Sequence, residues 1–308
     1  MSIDTDHLAT ANTCHDAEPA RAAELLRQID PAQLPVERRP VYAHLLNHVL
    51  GEKLAAWGEA LTRQQQLIAL APPAPALALW RQLGAAAFVT DSAQPLAHAV
   101  EGLVTASGVA NERAHELLSL AAATYLVPAQ PIAEAAQTAL NALGPVTHTS
   151  WPTESALDAQ AAACLNNLAN GLLERAEHDL HHGALRAALA RSAEEAYRLW
   201  MKAGTWVQLE RALYVRALAC TVLGEPHLAR RHATDGLAVL DAKDSAHAEE
   251  VDRAFLELER WNACVWLGLN DEAHRALTRA EAIAATFDDA SLTAEFESRR
   301  QRLPGFRR

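Results

Sequence analysis

Apolar residues recur along this chain at helical spacing, and Pro or Gly interrupts them at fairly even intervals. Leu25, Leu26 and Ile29 place a short amphipathic helix over Glu18–Ile29, stopped by Asp30-Pro31. After the turn 31–40 the pattern predicts helices over Val41–Leu50 and Glu52–Leu70, the second ending before Pro72-Pro73. Further helices are expected over Pro75–Thr90, Gln94–Ala106, Asn111–Leu126, Pro131–Leu143, Glu154–Glu177, Gly183–Ala203, Val207–Leu223 and Glu225–Leu240. Ser245–Leu267, Asp271–Thr286 and Ser291–Arg302 complete the series. Strand-like alternation is almost absent. The polar residues 1–17 carry no such period and are expected to be disordered. Residues 144–153 (GPVTHTSWPT) form the longest irregular stretch and are expected to divide two helical arrays, 18–143 and 154–302, before a basic tail at 303–308.

Composition sharpens this to an all-α fold. Half the residues are hydrophobic but only 5% are aromatic, and Ala and Leu supply most of the apolar side chains. Both favour helix, and small Ala faces let helices approach closely.

The helices also repeat. VLGEKLAAWGEAL from Val49, VLGEPHLARRHATDGL from Val222 and WLGLNDEAHRALTRA from Trp266 share one plan. A helix ends at a glycine, a few polar residues follow, and an Ala- and Leu-rich helix begins. Gly224 and Gly268 lie 44 residues apart, and Cys220 and Cys264 precede them at the same offset. In LWRQLGAAAF, Trp80, Leu83 and Gly84 are spaced as W-x2-L-G. Leu165–Ala176, LNNLANGLLERA, carries Leu168-Ala169 at the corresponding point, and Ala229 and Ala273 follow the two turn glycines.

On these positions the chain resembles the tetratricopeptide repeat (TPR) family, with units longer than the family's usual 34 or so residues. Superhelices with longer helices, as in bacterial sensor and regulator proteins, fit the spacing as well. The resemblance implies a right-handed superhelical solenoid of antiparallel helix pairs whose first helices line a concave groove. Such grooves hold extended peptides through Asn, Lys and Arg. Carried onto this chain, the groove residues are Arg81, Asn166, Asn170, Arg211, Tyr214 and Asn262. An Asn amide can pair with both N–H and C=O of a bound backbone. Lys is missing from the places where the family's carboxylate clamp would need it, which speaks against a C-terminal carboxylate as ligand.

Charge and chemistry narrow the function further. The formal net charge is −11, and nucleic acid or an anionic membrane would call for clustered Lys and Arg. The one dense basic group, Arg299, Arg300, Arg302, Arg307 and Arg308, reads as a solvated tail. Neither a secretory h-region nor an apolar run of membrane-spanning length occurs, so a cytoplasmic protein is expected. Cys14, Cys164, Cys220 and Cys264 are too dispersed for zinc-ribbon or redox motifs and read as buried thiols. No nucleophile elbow, P-loop or dinucleotide fingerprint is present. The neighbouring carboxylates Glu194-Glu195, Glu249-Glu250 and Asp288-Asp289 diverge around a helix and read as surface.

Two histidine sets have metal-like spacing: Glu174, His178 and His182, and His44, His48 and Glu52. His181-His182-Gly183 reads as a helix end, and Gly51 interrupts the second face, so no metal or other cofactor is expected. Trp151 in the irregular stretch reads as packing onto the helices, with partner anchoring the alternative. The functional expectation is a non-enzymatic scaffold or adaptor for a protein or peptide, with self-association open. A ligand-sensing regulatory module and a helical metalloprotein or enzyme around His178 and His182 are the alternatives.

Overall fold

The computed structural model describes residues 3–70, 76–147, 150–152, 154–176 and 181–302. Among these residues every regular element is helical, and no helix is long and apolar enough to cross a membrane. The chain forms two compact units, Met1–Cys164 and Leu165–Arg308. Their boundary falls inside a helix rather than in the irregular stretch 144–153.

The first unit opens with a helix where disorder was expected. Helix α1 (Ile3–Cys14) packs on α2 (Pro19–Gln28), burying Leu8 and Ala11 in one core with Ala22, Ala23 and Leu26. Two small apolar contacts suffice because the opposing face is largely alanine, and so sparse a pattern shows no legible period. Asp4 adds a tie to the chain beyond α2 by accepting from the Asp30 backbone N–H at 3.0 Å.

Helix α3 (Arg39–Leu45) continues directly into a π-helical segment, Leu46–Lys53. The sequence pattern ends a helix at Gly51, but the π winding carries through it. The reversal comes later, at Ala55 with φ 55°, and α4 (Trp57–Ala69) begins there instead of at Glu52. Gly51 serves a close approach. A Cβ on it would stand 2.6 Å from the Trp57 ring, so only glycine lets the indole fold back over the π segment.

Two more glycines are contact points between α5 (Leu77–Val89), α6 (Ala93–Ser107) and α7 (Asn111–Ala129). The Trp80 ring covers Gly102, and the Leu118 side chain covers Gly84. The W-x2-L-G spacing is therefore a packing device, with the tryptophan and the glycine of α5 each meeting a complementary partner. Helix α8 (Ile132–Leu143) leads to the irregular stretch. Trp151 is buried there, its indole N–H donating to Asp158 Oδ1 at 2.7 Å and the Arg113 guanidinium lying over its ring. It packs the stretch inward and presents no anchor to a partner.

Helix α9 (Asp158–Ala176) crosses the unit boundary. The second unit continues with α10 (Gly183–Ala203), α11 (Trp206–Leu223), α12 (Pro226–Lys243), α13 (Glu250–Trp266), α14 (Asn270–Ala284) and α15 (Ala290–Arg302). The two turns aligned in the sequence share one geometry. Gly224 and Gly268 have φ 77° and 70°. The Glu225 and Leu269 N–H groups bond the carbonyls of Cys220 and Cys264 at 2.8 and 2.9 Å. This closing bond around a left-handed residue ends both α11 and α13. Ala229 and Ala273, five residues on, are both buried where the following helix folds back.

Helix α13 starts at Glu250 rather than Ser245. Asp244 accepts from the N–H groups of Ala248 and Glu249 at 2.9 and 3.0 Å, holding a turn that contains His247 at φ 55°. Two surface assignments are also revised. Glu195 is buried against Arg198, and Arg299 reaches inward from α15 to the fully buried Glu259 instead of standing in a solvated tail. Arg307 and Arg308 lie outside the described residues.

Candidate functional site

The six groove residues expected from the sequence fall in both units and differ in exposure. Arg81 belongs to the first unit, where it is half-buried and donates to the Gln160 carbonyl at 3.4 Å. On α9, Asn170 is exposed and Asn166 is half-buried with its Oδ1 unbonded among the described residues. On α11, Arg211 is exposed and braced by Asp252 at 2.8 Å and Glu249 at 2.9 Å, both near the start of α13. Tyr214 packs edge-on against Phe255, and burial raises its hydroxyl pKa. Asn262 is fully buried, and neither its Nδ2 nor its Oδ1 has a partner among the described residues. Its amide is part of the interior of α13 and is closed to a peptide in an open groove.

Beside Arg211 lies Glu210, also buried, facing the Asp252 carboxylate. Burial pushes the Glu210 pKa up, and the neighbouring carboxylate adds to this. Arg211 therefore bridges two helices as a structural clamp.

The second unit holds a hollow of about 430 Å³ between α10, α11 and α12. Ala187, Ala190, Ala219, Leu223 and Leu228 make its walls apolar. Leu228 remains 42% exposed, a large aliphatic side chain left in water at the rim. Arg216 pairs with Glu194 and stacks on Tyr197, its guanidinium carbon 4.4 Å from the ring centre. Burial holds the His232 imidazole neutral, lowering its pKa to about 4, and raises that of the Cys220 thiol to about 12. At neutral pH the hollow thus presents a protonated thiol and a neutral imidazole among small aliphatic side chains.

The first unit holds a second polar concentration, centred on the π segment. Its inner part is a chain of buried amides. Gln64 donates to Asn47 Oδ1 at 3.0 Å, Asn47 donates to Gln82 Oε1 at 2.8 Å, and Tyr125 Oη donates to the same oxygen at 2.8 Å. Because the Tyr125 proton is committed to Gln82, His44 Nδ1, 3.3 Å away, is the donor to Tyr125 Oη. Burial lowers the His44 pKa to about 4, so this imidazole is neutral.

His44 stacks on His48 with ring centres 5.7 Å apart. His48 Nδ1 meets Glu52 Oε2 at 2.7 Å, and its Nε2 faces Asp16 Oδ1 at 3.4 Å. His15 Nε2 approaches the same carboxylate at Oδ2, 3.2 Å away, and Lys53 Nζ lies 3.0 Å from Oδ1. Burial alone would lower the His48 pKa, but Glu52 outweighs it and the net shift is upward. Burial alone would raise that of Asp16, but Lys53 and the two histidines outweigh it and the net shift is downward.

Histidine spacing flagged one edge of this site in the sequence. Gly51 appeared to break the His44, His48 and Glu52 face, whereas the π winding keeps it. His15 and Asp16 carried no usable signal, because their place beside His48 depends on α1 being folded. Of the other histidine set, Glu174 lies on α9 and His182 at the start of α10. His178 lies outside the described residues, and His182 caps α10, its Nδ1 accepting from Leu185 N at 3.3 Å.

No protein-family model matches this chain, and no curated protein matches it.

Proposed function

We propose that this chain is a non-catalytic binding module of tetratricopeptide-like helix pairs that receives a protein or peptide segment in the α10–α11–α12 hollow. The observation that carries the reading is the hollow itself. It offers apolar walls of small side chains, an exposed leucine at its mouth, and an Arg216–Glu194 ion pair at its rim. A large apolar side chain from a partner would remove water from Leu223 and Leu228. The recurrence of the Gly224 and Gly268 turns supports the repeat reading, since equivalent turns place successive helix pairs in equivalent packing.

A second reading, a regulatory module that senses a small ligand, draws on the volume alone. About 430 Å³ falls within the roughly 300–1,000 Å³ of small-molecule pockets.

Ala190 on the exposed face of α10 offers a test, because Ala190→Trp fills the hollow without touching the core. Partners captured from a native lysate by wild type and lost by this variant, with added hydrogen-exchange protection confined to α10–α12, are the expected outcome. An identical partner set for both proteins would overturn the hollow as the docking site. A small molecule that co-purifies with wild type alone would favour the sensor.

A further inference from the structure

We infer that His15, Asp16 and His48 form a binding site for a divalent transition metal ion of the zinc class. The three ligand atoms all lie within 4.8 Å of one another. They come from two separate places in the chain, the turn after α1 and the π segment, so their convergence is a product of folding rather than of local sequence.

The hydrogen bonds around the histidines set which nitrogen is available. His15 Nδ1 is 2.7 Å from the Asn12 carbonyl oxygen, which can only accept, so Nδ1 carries the proton. His48 Nδ1 donates in the same way to the Glu52 carboxylate at 2.7 Å. In the neutral rings both Nε2 atoms then aim lone pairs at an anionic carboxylate, at 3.2 and 3.4 Å. Lone pairs opposed to a carboxylate repel unless positive charge stands between them. Protonating His48 alone would let it donate to Glu52 and Asp16 but leave the His15 Nε2 lone pair against the carboxylate. Protonating both rings would set two imidazoliums 5.1 Å apart between ring centres, with the Lys53 ammonium also at Asp16. One metal ion neutralises the carboxylate and satisfies both lone pairs at once.

The dimensions suit such an ion. Ligand atoms around a tetrahedral zinc with bonds of about 2.1 Å stand about 3.4 Å apart. His15 Nε2 lies 3.2 Å from Asp16 Oδ2 and His48 Nε2 3.4 Å from Asp16 Oδ1, so a small turn of the carboxylate offers one oxygen to both rings. The outer contacts have the matching form, since metal-binding histidines commonly donate their second N–H to a carboxylate or a backbone carbonyl. Two imidazoles with one carboxylate favour zinc and similar first-row ions over magnesium or calcium, which prefer all-oxygen sites. Asp16 is largely exposed, so ions have access from solvent and a fourth position is left to water. The π segment contributes by carrying His48 and Glu52 together through Gly51, and π-helical turns of this kind concentrate at functional sites.

Isothermal titration of the chelator-treated full chain with zinc alone tests the site. One zinc per chain is expected. His15→Ala and His48→Ala should each weaken binding by at least about 100-fold, and Glu52→Gln by about 10-fold or more, with circular dichroism unchanged. His182→Ala should leave affinity and stoichiometry as in wild type, and magnesium should not compete. Cobalt(II) in place of zinc should give visible absorption bands that His48→Ala abolishes. Failure of the wild-type chain to bind zinc below about 100 μM would overturn the site. So would binding that survives loss of His15 and His48 but not of His182.

Discussion

Arg299 on α15 donates through Nε and Nη2 to one carboxylate oxygen of Glu259 on α13, at 3.1 and 2.7 Å, with the Glu259 side chain wholly out of solvent. Thr221 Oγ1, from α11, donates to the other oxygen at 2.9 Å. One buried carboxylate therefore ties three helices together.

Removing only the cation should leave that charge stranded. Arg299→Leu is expected to destabilise the protein by about 3–5 kcal/mol. The double replacement Arg299→Leu/Glu259→Leu should cost much less, because neither charge is then desolvated alone. Urea unfolding of the two variants measures the difference; equal losses would show that the pair is not coupled.

Gly51 and Gly58 separate packing from conformational freedom. Gly51→Ala drives a methyl into the Trp57 ring and should cost about 1–3 kcal/mol, with a shift in tryptophan fluorescence. At Gly58, in the first turn of α4, nothing lies within 4 Å of an added Cβ. Gly58→Ala should be neutral or stabilising by up to about 1 kcal/mol. A Gly51→Ala protein as stable as wild type would contradict the close approach of Trp57.

His232 makes acid sensitivity predictable. Its folded pKa of about 4 lies below the ordinary 6.5, so between these values the unfolded chain binds more protons than the folded one. Its contribution is fully present above about pH 6.5 and is lost as pH falls through about 4. The loss amounts to about 3 kcal/mol over that window. Unfolding free energies measured from pH 7.5 to 3.5 should fall less steeply for His232→Asn than for wild type, and equal slopes would show that this imidazole titrates freely.

Arg113 pins the stretch that precedes α9. Its guanidinium donates to the carbonyls of Pro145 and Ser150 at 3.2 and 3.1 Å and lies over the Trp151 ring. Arg113→Ala should speed hydrogen exchange across 144–147 and 150–152 while leaving α10–α15 unchanged. Exchange rates equal to wild type in that stretch would mean that Trp151 and Asp158 hold it alone.

The sequence by itself determined the helical class, most helix positions and the two glycine turns at Gly224 and Gly268. These are local matters: apolar period, helix propensity and the need for a left-handed residue are written within a dozen neighbouring positions. Tertiary structure alone decided which charges go inside. Glu195, Glu259 and Arg299 have the sequence character of surface residues, and only a partner on the same or another helix offsets their desolvation. It also decided that Gly51 sits within a π segment, because the nearest atoms there belong to Trp57. The His15–Asp16–His48 cluster lay furthest from view. His48 stands 32 residues from Asp16, and what joins them is the burial of Leu8 and Ala11 of α1 in the core shared with α2, a contact too small to mark the sequence.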